Sequence, residues 1–238
     1  MKKSVGILGG MGPMATCDLF HKIISHTNAS HDQEHIHIYI DNNTSIPDRT
    51  RAILYGGKSP INQLVKSAIK LQMMGSDFLI MPCNTAHYFY DEIIKYIDIP
   101  MLNMPDETAI EIRTRGYNKV GILATEGTLQ SEIYQKSMGK EEIEYIIPSI
   151  DQQKFIMEVI YDGIKAGNYN IDLTNFNKVL GDLFDKGAET VILACTELPL
   201  AFEKFNINYP NIDATDVLAR ATVRFATENS LNLESQFA

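Results

Sequence analysis

Cysteine is scarce in this chain: three residues in 238, at positions 17, 83 and 195, odd in number and too far apart for a disulfide framework. Free thiols at that spacing fit a reducing cytoplasm. Long apolar runs are missing as well. No stretch approaches the roughly 18 residues that a membrane-spanning helix needs. The opening "MKKSVGILGGMGPMATC" starts like a signal peptide, but glycine and proline break its apolar stretch after "VGIL". Positive charge is in deficit, with 21 Lys and Arg against 30 Asp and Glu and a formal net charge of −9. That balance argues against nucleic acid or an anionic membrane as partner, while leaving room for a local basic site for a small anion. The expectation is a soluble, unprocessed, cytoplasmic protein.

What the chain does have is ordinary globular material, 45% hydrophobic and 21% charged, long enough for one large domain or two small ones. Short apolar runs rich in β-branched residues recur: "SVGIL" (4–8), "HIHIYI" (35–40), "DFLIM" (77–81), "KVGILA" (119–124), "IEYII" (143–147) and "TVILA" (190–194), with "IPMLN" (99–103) as a weaker candidate. Helical patterns separate them, such as 60–74, where Ile61, Leu64, Val65, Ala68 and Leu71 share a face, and 152–165. Strands alternating with helices predict an α/β fold with parallel sheets flanked by helices. Right-handed crossovers then put every strand's C-terminal end on one edge, where such sheets bind ligands.

The two halves resemble each other. "SVGILGGMGP" (4–13) aligns with "KVGILATEGT" (119–128), and "DFLIMPCNTA" (77–86) with "ETVILACTEL" (189–198). Gly6 precedes Cys83 by 77 residues, and Gly121 precedes Cys195 by 74. Two motif pairs that keep nearly the same offset imply two pseudo-symmetric α/β domains, 1–98 and 99–207, each with a cysteine just past a strand's C-terminal end. The remaining 208–238 contains an amphipathic helix pattern, 214–230, free to pack back onto the first domain.

Several chemistries compete for these motifs. Gly10, Gly12 and Ala15 satisfy the dinucleotide pattern G-x-G-x-x-G/A, with Asp41 closing the next strand. Asp41 lies too far downstream, however, and the second half lacks the glycines; a strand–glycine turn–helix serves any anion equally. Cys83 and His87 stand at C-x3-H spacing, but no second ligand pair accompanies them, so no metal is expected. A lone Cys83 reads as a buried small hydrophobe. The matching Cys195 changes that reading. Each cysteine precedes small polar residues at a helix start, where the helix dipole lowers a thiol's pKa. If the halves face each other across a cleft, the two thiols flank one substrate. One can remove a proton while the other delivers one to the opposite face, inverting a stereocentre. Cys17 has no counterpart and reads as structural. Arg49, in "IPDRT", suits a carboxylate or is a solvent-exposed loop arginine. Lys165, in "GIKAGNY", reads either as a helix C-terminal lysine or as a ligand-binding one.

Taken together, "GILGGMGPMAT", "SIPDRT", "MPCNTAH", "GIKAGN" and "ACTELPL" resemble the aspartate racemase branch of the aspartate/glutamate racemase superfamily, in order and over nearly the whole chain. The paired cysteine motifs are shared with glutamate and hydantoin racemases; the GGMGP turn, Pro-Asp-Arg and "GIKAGN" point to the aspartate branch. The resemblance implies a cofactor-independent racemase of two pseudo-symmetric domains, with the active site in the cleft and commonly a homodimer. It implies Cys83 and Cys195 as the acid/base pair, acting on a small-molecule substrate, aspartate and by extension glutamate. It further implies Arg49 and Lys165 as ligands of the side-chain carboxylate, and Met11, Asn84, Thr85 and Thr196 as holders of the α-carboxylate and amino group. Glu197 replaces the histidine that glutamate racemases carry after Cys-Thr, which weighs against glutamate as sole substrate and makes it a candidate supporting base. His87 is left as a neighbour of the site. A broader aspartate/glutamate racemase, a maleate-isomerase-like enzyme and a silent small-acid binding protein are the alternatives.

Overall fold

The computed structural model describes residues 2–228. Its first half runs β1 (Val5–Gly9), α1 (Pro13–His26), β2 (Ile38–Asn42), α2 (Arg49–Leu54), α3 (Ile61–Met73), β3 (Phe78–Ile80), a 3-10 turn (Thr85–Phe89), α4 (Tyr90–Ile93) and α5 (Met104–Thr114). The second half runs β4 (Lys119–Ala124), α6 (Glu126–Gln130), α7 (Ile133–Lys140), β5 (Glu144–Ile146) and α8 (Ile150–Met157). A π-helix (Glu158–Lys165), α9 (Thr174–Asp185), β6 (Thr190–Ala194), α10 (Glu197–Lys204), β7 (Asn211–Asp213) and α11 (Ala214–Thr227) complete it.

Two parallel sheets result, ordered β2-β1-β3 and β5-β4-β6-β7. The central strands are buried on both faces, which is why they read as continuous apolar runs. The sheets repeat each other in register. Gly6 on β1 stands opposite Leu79 on β3, and Gly121 on β4 stands opposite Val191 on β6. Both glycines answer a close approach: a Cβ at Gly6 would lie 2.6 Å from Leu79 Cδ2, and one at Gly121 2.9 Å from Val191 Cγ1. Even the strand entrances match. Asp77 accepts the Ser4 N–H at 2.6 Å, and Glu189 accepts the Asn118 N–H at 2.7 Å.

The sheets share one core. Val5, Ile7 and Phe78 from the first meet Val120, Ile122 and Ile192 from the second through α1, α5, α7 and α11, which lie between. Outer cores back each sheet separately, around Leu64, Leu71 and Leu79 on one side and Val159, Leu180 and Val191 on the other. α11 sits against α1 and α5, held by Lys22–Asp213 at 2.7 Å and Arg220–Glu111 at 2.8 Å. Residues 229–238 of the expected C-terminal segment, including the end of the 214–230 pattern, lie outside the described residues.

Three element readings change. β2 occupies Ile38–Asn42 rather than 35–40, because it pairs with β1 out to Gly9 and so includes the polar Asp41 and Asn42. The segment 99–103 contributes only a single bridge, Met101 to Leu79. The helix expected over 152–165 is α8 followed by the π-helix. β7, three residues at a sheet edge, was not anticipated. Among the described residues no helix is long and apolar enough to cross a membrane.

Candidate functional site

The C-terminal ends of β1, β3, β4 and β6 border one small cavity. Cys83 lies four residues beyond the Leu79–Gly6 pair, and Cys195 four beyond the Val191–Gly121 pair, so the repeat delivers both thiols to its wall. Both are buried. Met11, Arg49, Asn84, Thr85, Lys165, Thr196 and Glu197 line the same cavity. His87 does not. Cys17 is exposed on α1, so it packs no core and stands apart from the site.

Local chemistry explains each placement. Gly10, at φ +92°, turns the chain after β1 so tightly that a Cβ would fall 2.4 Å from the Asn43 carbonyl carbon; this aims the Met11 backbone at the cavity. Asp48 caps α2 by accepting the Arg51 N–H at 2.8 Å, and Arg49 follows it into the cavity. The guanidinium donates to Pro47 O at 3.2 Å and Met11 O at 3.3 Å, which fixes its plane. Its Nε is buried with no partner among the described residues. Asn84 is similar. Its Oδ1 accepts the buried Tyr134 hydroxyl at 2.5 Å, leaving Nδ2 buried and unpartnered. Two buried donors without acceptors among the described residues, both from residues lining one cavity, suit an anionic ligand.

Glu197 organises the other wall. Its Oε1 accepts Lys165 Nζ at 2.5 Å, and its Oε2 accepts the Cys195 thiol at 3.0 Å and the Thr196 hydroxyl at 3.3 Å. Burial first, and then the Glu197 carboxylate, push the Cys195 thiol well above its ordinary pKa. This reverses the expectation of a dipole-lowered thiol at that helix start: burial, together with a carboxylate at 3.0 Å, outweighs the α10 dipole. Burial opposes the charge on Lys165, but Glu197 and the Cys195 and Cys83 sulfurs beyond it keep its ammonium more basic than usual. Arg49 follows the same pattern, with Cys83 and Asp48 overcoming burial.

His87 holds the loop from behind. Its Nε2 accepts the Met104 N–H at 3.2 Å, so Nδ1 carries the proton and donates to Cys83 O at 2.9 Å. Burial lowers its pKa to about 4. Both nitrogens are engaged by backbone, which leaves neither for a metal and makes His87 a positioning residue for Cys83.

Residues 8–222 match the Asp/Glu/Hydantoin racemase family. The chain belongs to that family. It is 32% identical over 232 residues to a broad-specificity amino-acid racemase of Bacillus subtilis, covering 92% of this chain and 96% of the relative. Among solved structures, the aspartate racemase of Picrophilus torridus superposes with a TM-score of 0.83 at 32% identity, covering 95% of each chain. Glutamate racemase from Francisella tularensis shares the fold at a TM-score of 0.64 and 19% identity, over 92% of this chain and 79% of that one. Membership makes this protein an isomerase acting on amino acids, and the two-sheet α/β architecture is that of racemase structures.

The racemase cavity also contains Asp48, Thr50, Thr125 and Tyr161, which sequence reasoning did not single out. Thr125 occupies the repeat position of Gly10, so the alignment of the halves carried a signal for it. Tyr161 precedes Lys165 in the π-helix, whose wide turn presents both to the site. Thr85 from the first half meets Thr125 and Thr128 from the second at 2.9 and 2.8 Å, and those two are 3.0 Å apart. Three hydroxyls with one proton each form a closed ring, joining the halves at the cavity wall.

Proposed function

We propose that this racemase interconverts L- and D-aspartate by proton transfer between Cys83 and Cys195. The observation that carries this reading is the placement of both cysteines, at equivalent register in two repeated sheets, on the wall of one cavity. A thiolate on one side takes the α-proton as the C–H bond breaks. The carbanion that remains collapses onto a proton released by the thiol opposite. One proton leaves the substrate and one enters on the other face, so the pair finishes with its protonation reversed and no net proton is consumed. The Cys195 thiol donates a hydrogen bond to Glu197 at rest, which supports Cys83, with Arg49 beside its sulfur as counter-charge, as the first base.

Aspartate brings two carboxylates to an acidic protein, and Arg49 and Lys165 meet the distal one. The Met11 and Thr196 backbone, Asn84 Nδ2 and the Thr85 N–H hold the α-carboxylate and amino group, since the Thr85 hydroxyl is committed to its ring. Preorganised donors in a small cavity stabilise the carbanion's charge. The cavity measures about 20 Å³, room for about one water molecule, so substrate enters as Lys165 leaves Glu197 for the incoming carboxylate.

Incubation of L-aspartate in D₂O, following loss of the α-proton signal together with appearance of the D-isomer, tests the reading. Cys83→Ala and Cys195→Ala should each lower racemisation by about 10²–10⁴. Full racemisation of both enantiomers by either variant would sink the two-thiol mechanism. The name of the Bacillus relative supports a second reading, a broader substrate range that includes glutamate. A panel resolved by chiral chromatography separates the two.

A further inference from the structure

A second cavity, of about 950 Å³, adjoins the candidate site. Asp48, Thr50 and Tyr161 belong to the walls of both. The inner space must widen to admit any amino acid, whereas the outer one already has the volume of an ordinary ligand pocket, about 300–1,000 Å³. Two of the three shared residues are fixed. Asp48 is committed to capping α2, and Thr50 is buried against α6, where a Cβ on Gly127 would lie 2.8 Å from its Oγ1. Tyr161 is the large side chain among them. It is half-buried, on the same π-helix as Lys165, whose Nζ lies 5.7 Å from its ring centroid. Beyond it the outer space opens to solvent, its walls apolar at Leu129, Ile147 and Met157 and charged at Glu126, Lys154 and Glu158.

We propose that Tyr161 is the specificity-determining partition between the two cavities. Its ring caps the substrate site on the side facing the outer space, and behind it stands a largely apolar groove able to take the longer, apolar side chain of an amino acid such as methionine. The inference rests on the racemase reading above. The α-carboxylate, amino group and α-proton are common to every amino acid, so the groups that hold and react with them cannot discriminate. Discrimination falls to what stands beyond the β-carbon. In an apolar pocket a single methylene changes kcat/KM by about 10–200-fold, so opening the partition should be visible.

The test compares wild type with Tyr161→Ala, Tyr161→Leu and Tyr161→Phe. It measures α-deuteration of aspartate and methionine in D₂O and reads the methionine-to-aspartate ratio of kcat/KM. Tyr161→Ala and Tyr161→Leu should raise that ratio by about tenfold or more, while Tyr161→Phe, which keeps the ring, leaves it near the wild-type value. Adding Met157→Trp to Tyr161→Ala refills the outer groove and should bring the ratio back down. A general loosening of the site would not respond to Met157→Trp. An unchanged ratio in both truncations, or a rise that survives Met157→Trp, overturns the partition. Wild-type exchange into aspartate is read first: its absence overturns the substrate reading, whereas an unchanged ratio in active variants overturns the partition alone.

Discussion

Glu197 holds Lys165 on one carboxylate oxygen and the Cys195 thiol on the other, so one side chain couples the cavity's ammonium to one of the two thiols proposed to move the proton. A negative charge beside a thiol disfavours the thiolate. Glu197→Gln removes that charge, and the Cys195 titration should move to lower pH. The thiolate ultraviolet absorbance of a Cys17→Ser, Cys83→Ser protein reports Cys195 alone, and an unmoved curve would contradict the arrangement. His87 offers a second prediction, on stability. Its pKa is 6.5 in the unfolded chain and about 4 in the fold, where burial favours the neutral ring. The unfolded state therefore binds more protons between those values, and stability rises with pH. The contribution is fully present above about pH 6.5 and is lost as pH falls towards 4, on the order of 3 kcal/mol. His87→Gln should flatten the dependence of urea-unfolding free energy on pH across that window; a wild-type slope in the variant would refute the neutral, buried ring. The cysteines and Glu197 were legible in the sequence because their chemistry is rare and their spacing repeated. The ring nitrogens of His87 were not, because their partners, Cys83 O and Met104 N, are backbone atoms that any residue supplies.

β1 and β4 each carry a glycine at the point of closest approach to the cysteine-bearing strand, and this spacing is what the repeat preserved most visibly. At Gly121 an added Cβ would stand 2.9 Å from Val191 Cγ1 and 3.2 Å from Leu183 Cδ1, with no empty space to receive it. Gly121→Ala should therefore cost about 1–3 kcal/mol by overpacking and shift β6, on which Cys195 depends. Gly139 in α7 is the control, with nothing within 4 Å of the same position. Gly139→Ala should gain about 0.4–1 kcal/mol through the unfolded chain. Urea midpoints of the two variants should move in opposite directions, and a harmless Gly121→Ala would show that the strands can slide apart. Central strands and long helices were readable because burial on both faces, or on one stripe, marks their composition directly. β2 slipped by three residues at its start because its pairing with β1, not its own hydropathy, decides where it begins and ends. The π-helix escaped because Phe155, Ile156, Val159 and Ile160 fit an ordinary helical stripe, while the widening shows only in bonds such as Ala166 N–H to Tyr161 O. That widening helps set where Tyr161 and Lys165 reach the cavity, so the least legible element carries two of its side chains.

α11 closes a core to which both sheets contribute, so the two are expected to unfold together. Leu218 is fully buried there with Leu19 and Ile23 of α1 and Ile112 of α5, in the same cluster as Ile7 of the first sheet and Ile192 of the second. The threonine ring joins the halves again at the cavity wall. The junction between the halves is thus packed rather than spanned by loose chain, and no Ser/Gly-rich tether was there to be found in the sequence. Leu218→Ala should cost about 2–5 kcal/mol, the transfer term plus a cavity that neighbouring helices cannot fill. Because the core is common, the loss should register equally in both halves. Amide hydrogen exchange at Ile7 on β1 and at Ile192 on β6, each a buried central-strand position, reports the two sheets separately. Their protection should fall by the same free energy in Leu218→Ala, with a single urea transition. A fall at Ile7 with protection at Ile192 retained would mean that the second sheet keeps its core without the first, and the racemase would then be two domains in folding as well as in pattern.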